Sequence, residues 1–66
     1  MLTQREKEVL KFVCKGYTNA EIADALFVSS STIKAHVASI IRKLGGTNRT
    51  LAVFIAAKEG LVDLDS

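Results

Sequence analysis

Four consecutive hydroxyl side chains, Ser29, Ser30, Ser31 and Thr32, precede Lys34 and His36, the one histidine of the chain. A hydroxyl beside an imidazole is the raw material of a nucleophile and its base, but the pair works only when a third group orients the ring. No Asp or Glu stands between residues 25 and 58, so neither Ser31 nor Ser39 with His36 completes such a set within this stretch. A metal site fares no better, because His36 and the single Cys14 have no clustered partners. What remains to short hydroxyls, an ammonium and an imidazole is non-covalent chemistry: hydrogen bonds to helix amides, to solvent or to a polar partner. His36 is read as a phosphate-contacting or helix-stabilising imidazole. No catalytic residue, metal or cofactor is expected.

The placement of charge points the same way. The formal net charge is only +2, and residues 1–24 balance Arg5, Lys7, Lys11 and Lys15 against Glu6, Glu8, Glu21 and Asp24. Residues 25–58 carry Lys34, Arg42, Lys43, Arg49 and Lys58 with no acid, and Glu59, Asp63 and Asp65 close the chain. An uncompensated basic stretch is the electrostatic footprint of a nucleic-acid binder, and a solvated helix face shares it.

The elements that position these residues follow from the rest of the chain. At 66 residues, 48% hydrophobic and without proline, it is expected to form one domain over 1–66. That size is near the lower limit for a core without metals or disulfides. Cys14 has no internal disulfide partner and is read as a small buried thiol in a reducing compartment. No apolar run approaches the roughly 20 residues of a membrane span, and the start lacks a signal peptide's apolar centre. A cytoplasmic domain with no membrane partner is the expectation.

Thr3 with Glu6 makes a T-x-x-E capping box that starts a helix running to about Lys15, with Gly16 placed for a left-handed C-terminal cap. Val9, Leu10, Val13 and Cys14 form its inward stripe, broadened by Phe12. Thr18 and Glu21 repeat the box and start a short helix to Leu26, with Ile22, Ala23 and Leu26 inward. Phe27 and Val28 form the turn, where a bulky aromatic is expected to take a negative φ and find packing. Ser29 caps a third helix, with Thr32 at its N3 position. At about 100° per residue, Ile33, Val37, Ile40, Ile41 and Leu44 fall on one core-facing stripe. Opposite lie Ser31, Ala35, Ala38 and Arg42, edged by Lys34 on one side and by Thr32, His36, Ser39 and Lys43 on the other.

Gly45 and Gly46 end that helix, and Thr47 or Asn48 caps a fourth over Arg49 to Glu59, which Gly60 stops. No strand pattern is present. The fourth helix is apolar nearly all round, so two faces are expected to be covered. Ala52, Val53, Ala56 and Gly60 are assigned to the core, and Leu51, Phe54, Ile55 and Lys58 to a partner. A short helix, a tight turn and a longer helix with a small, polar, basic outer face describe a helix-turn-helix over residues 19–44. The fold expected is all-α, four helices around that motif. A helical protein-interaction module is the competing reading.

The blocks "LTQREKEVL", "GYTNAEIADAL", "VSSSTIKAHVASIIRKLG", "NRTLAV" and "AAKEGLV" occur in order and cover nearly the whole chain. In this they resemble the GerE/LuxR-type helix-turn-helix domain, as in response regulators of the NarL/FixJ class. The resemblance implies a cytoplasmic bacterial transcription regulator that binds double-stranded DNA in a sequence-specific manner, and not an enzyme. It implies the output domain of a two-component response regulator, a receiver domain elsewhere in a longer chain, and RNA polymerase as a further partner. Carried over residue by residue, it places base contacts at Ser31, Lys34, Ala35 and Ala38. Phosphate contacts carry over to Thr18, Asn19, Thr32, His36, Arg49 and Thr50. It also implies a weak homodimer, favoured on DNA, through the fourth-helix stripe Leu51, Phe54, Ile55 and Lys58. Relatives often carry a longer side chain where this chain has Ala35 or Ala38.

Overall fold

The computed structural model describes residues 2–61, which form α1 (Gln4–Cys14), α2 (Asn19–Leu26), α3 (Ser30–Leu44) and α4 (Arg49–Lys58). Asp63 and Asp65 lie outside the described residues. Each helix opens on a side-chain oxygen that accepts from the backbone N–H of its third residue: Thr3 from Glu6, Thr18 from Glu21, Ser29 from Thr32 and Asn48 from Leu51. In α1 and α2 the Glu carboxylate reaches back to the cap N–H at 2.8 Å, completing both expected capping boxes. Asn48, and not Thr47, caps α4.

All four helices also end alike. Two or three residues past each helix, a backbone N–H donates to a carbonyl five residues back: Tyr17 to Phe12, Val28 to Ala23, Gly46 to Ile41 and Leu61 to Ala56. Such a closure needs a left-handed residue just before the donor. Gly16, Gly45 and Gly60 supply it with φ of 87°, 77° and 69°. In α2 the same place is held by Phe27, with φ 59°. This corrects the expectation of a negative φ and a packed ring, since Phe27 is 95% exposed. The reason is local: the chain must reverse at once to bring Val28 against the core and let Ser29 cap α3. Only the left-handed conformation does so here, and the ring is thrown outward. For an L-residue with a Cβ that conformation costs roughly 1–2 kcal/mol.

Val9, Leu10 and Val13 of α1, Ile22 and Ala23 of α2, Ile33, Val37 and Ile40 of α3, and Ala56 of α4 make one buried cluster. Burying a side chain such as Leu10, Ile22 or Ile33 contributes about 1.5–3 kcal/mol each toward offsetting the chain entropy lost on folding. Phe12, Leu26, Val28, Ile41, Leu44 and Val53 pack around it. Cys14 is partly rather than fully covered, and burial pushes its thiol up, away from the reactive thiolate. The connection between α3 and α4 runs close against α4: a Cβ on Gly46 would stand 3.2 Å from the Ala52 nitrogen.

One charge is built into this frame. Glu6 is 4% exposed, and its carboxylate accepts from Ser39 Oγ at 2.7 Å and from Lys43 Nζ at 2.8 Å, besides the Thr3 N–H. Ser39 and Lys43 therefore do not edge the outer face of α3 as their spacing suggested. They turn toward α1, because a buried carboxylate there needs their protons.

Candidate nucleic-acid interface

The core holds Ile33, Val37 and Ile40 on one side of α3 and thereby turns Ser31, Lys34, Ala35 and Ala38 outward, all four exposed. At 100° per residue these four span a sector of about 100°, and Arg42 falls inside it, also exposed. The sector has two methyl-bearing positions, a hydroxyl, an ammonium and a guanidinium. It is shallow enough for close approach and positive enough for a polyanion. His36 is half-buried and lies about 100° round from Ala35, next to the core stripe at Ile40.

At the mouth of α3 the hydroxyl run divides its work. Ser29 Oγ accepts from the Thr32 N–H at 3.2 Å and shares a hydrogen bond with Thr32 Oγ1 at 3.0 Å. Thr32 is thus partly engaged in the cap, while the Ser31 hydroxyl projects from the exposed sector. The first-turn amides add the positive end of the helix dipole at the same place.

A second cluster forms where α2 and α4 begin. Arg49 donates through Nη1 to Asn19 Oδ1 at 2.6 Å and through Nη2 to the Tyr17 carbonyl at 2.7 Å. Thr18 and Thr50 flank this pair and are exposed. Four residues marked for phosphate contact, scattered over 33 positions of sequence, thus gather at two adjoining helix starts. The guanidinium also has a structural task, joining α4 to the start of α2. Sequence reasoning missed that task, as it missed the burial of Glu6. The Thr3–Glu6 box was legible, but the partners Ser39 and Lys43 lie 33 and 37 positions away with nothing local to announce them.

On α4, Ala52 and Ala56 enter the core while Leu51 is 38% and Phe54 60% exposed. Ile55 is half-buried and Lys58 exposed. The division expected of this helix holds in part: Gly60, assigned to the core, is exposed because it closes the helix end, and Val53 and Ile55, assigned to opposite faces, are both half-buried. Among the described residues, no group of three or more His, Cys, Asp or Glu could hold a metal ion, and no helix is long and apolar enough to cross a membrane.

A short helix reversed through Phe27 and Val28 into a longer one, held by two further helices so that its polar side faces out, defines a helix-turn-helix domain. The chain belongs to the luxR family of bacterial regulatory proteins, whose pattern matches residues 1–56. The solved structure of the transcription factor GerE superposes with a TM-score of 0.89 at 31% identity, covering 97% of this chain and 96% of GerE. The response regulator ChrA of a heme-sensing two-component system superposes with a TM-score of 0.87 at 39% identity, over 92% of this chain and 30% of ChrA. The response regulator protein VraR of Staphylococcus aureus is 45% identical over 62 residues, 94% of this chain. The chain spans 30% of the length of that relative.

Proposed function

We propose that the domain binds double-stranded DNA in a sequence-specific manner, with α3 in the major groove, and regulates transcription as the output domain of a response regulator. The observation that carries this is the exposed sector of Ser31, Lys34, Ala35 and Ala38 on a helix whose opposite side is core. Lys34 addresses guanine O6 or N7, Ser31 donates to a base edge or phosphate, and the two alanine methyls meet thymine methyls. Thr32 and His36 bond the phosphates beside the groove. Thr18, Asn19, Arg49 and Thr50 hold the backbone on the far side, where the α2 amides add their dipole.

Two copies associate through Leu51, Phe54, Ile55 and Lys58, weakly in solution because the Lys58 side chains meet across the two-fold axis. On DNA the two α3 helices then lie about 34 Å apart, reading an inverted repeat with half-sites one helical turn apart. The domain is a binding protein and not an enzyme. RNA polymerase and a covalently linked receiver domain are its further partners, and the bacterial cytoplasm is its setting.

Titration of a duplex selected from random sequence, at several salt concentrations between about 50 and 200 mM, tests the reading. Phosphate contacts make log affinity fall linearly with log salt, with a slope of about −0.9 per contact. Affinity that ignores salt would favour the protein-interaction module instead.

A further inference from the structure

We propose that Phe27 is an additional DNA contact, its ring packing on the deoxyribose-phosphate edge of the groove that α3 enters. The inference rests on the DNA-binding reading and adds a residue that the reading does not use. Four helix ends share one closure, and three of them place glycine in the left-handed position while α2 places phenylalanine. Glycine there would be unstrained, so stability gives no reason for an aromatic. Nor does the core, because the ring is 95% exposed.

An outlier that the fold does not need is a pointer to contact with something outside it. The other exposed large apolar residues, Tyr17, Leu51, Phe54 and Leu61, lie before α2, on α4 and beyond its end. Phe27 instead stands in sequence beside the exposed Ala25, Ser29 and Ser30, with the exposed Asp24 one turn back in α2. A protein partner's hot spot wants an apolar cluster that excludes water, and a lone ring among small polar groups offers none. A sugar-phosphate strand suits it better, since deoxyribose presents small apolar faces between polar phosphates. Distance suits it as well. Phe27 is two residues before the cap of α3, so their Cα atoms are at most about 7.6 Å apart. Moreover, no acid follows Phe27 until Glu59, and the basic residues outnumber the single nearby acid, Asp24, along the stretch that continues into α3.

The contact is non-ionic and blind to sequence, releasing no counterion. It therefore predicts a behaviour that differs from that of Lys34 or Arg49.

The chain has no tryptophan, so Phe27→Trp introduces a single reporter at the site. At saturation with duplex its emission is expected to shift to the blue or be quenched, on selected and scrambled sequences alike, with affinity close to that of the parent domain. Phe27→Gly and Phe27→Asn, both suited to the left-handed conformation, are expected to raise the thermal midpoint. They should also lower affinity for both duplexes by roughly three- to tenfold, with the salt slope unchanged. Asparagine controls for the added freedom of glycine. Emission that stays fully solvated at DNA saturation, or Gly and Asn variants binding within twofold of the parent, overturns the proposal. A parent domain that binds no duplex at all overturns the DNA reading itself, and this contact with it.

Discussion

Lys34 stands in the exposed sector of α3 with no acid in the surrounding 25–58 stretch to neutralise it, and the neighbouring alanines leave its ammonium room to reach a base. Lys34→Ala is expected to weaken binding to the selected site by about 1–3 kcal/mol and to relax preference at one base pair. Competition titrations against a scrambled duplex measure both effects, and equal losses on the two duplexes would remove Lys34 from the base contacts. Ser29 and Ser30 offer a contrast in stability. The Ser29 hydroxyl accepts from the Thr32 N–H, so Ser29→Ala should cost about 0.5–2 kcal/mol, whereas Ser30→Ala, beside it but outside the cap, should cost little. Urea melts decide this, and coincident midpoints would contradict the cap. Residues that cap were legible from sequence because their partners lie within three positions, whereas Ser39 and Lys43, expected on the outer face, have theirs in α1. Phe27 was misread because the expectation weighed its need for packing, while the geometry of helix closure decided its conformation.

At the scale of elements, α4 divides its surface between the core, reached through Ala52 and Ala56, and an exposed stripe centred on Phe54. A charge at Phe54, 60% exposed, stays largely in water. Phe54→Glu is therefore expected to leave the melting curve nearly unchanged and to abolish cooperative occupancy of paired half-sites, with affinity for one half-site preserved. Gel-shift titration reads this as an accumulating one-to-one complex, and direct passage to the two-to-one complex would refute the dimer stripe. The existence and order of all four helices and most of their inward positions followed from apolar spacing and capping residues, which are local signals, while Gly60, assigned to the core, lies exposed. What sequence left dark was the relation between elements. Arg49 meets Asn19, and Glu6 meets Ser39 and Lys43, across 30, 33 and 37 positions. Those pairings exist only once the helices have packed.

For the molecule as a whole, Glu6 ties α1 to α3 through an almost fully covered carboxylate. Hydrogen bonds from Lys43 and Ser39 and from the Thr3 N–H hold its pKa down at about 2, from the ordinary 4.5, against the opposing effect of burial. A depressed carboxylate stabilises the fold above its unfolded pKa, and the contribution disappears as pH falls through the folded value. The melting temperature should thus decline as pH is lowered from about 4.5 to about 2. Glu6→Gln should flatten that decline and cost about 1–3 kcal/mol at neutral pH. Scanning calorimetry across this range checks both, and parallel pH curves for the two proteins would exclude Glu6 as the titrating group.

The paired caps have a kinetic consequence as well. Every helix is closed at its start by a side chain within three residues and at its end by an amide within five, so each carries its own stop signals before it meets a neighbour. Short loops between such segments leave little entropy to be lost in distant searches, and topology of this kind folds in microseconds to milliseconds. A domain that reforms on that timescale can be released from a partner, or emerge from the ribosome, and be competent almost at once.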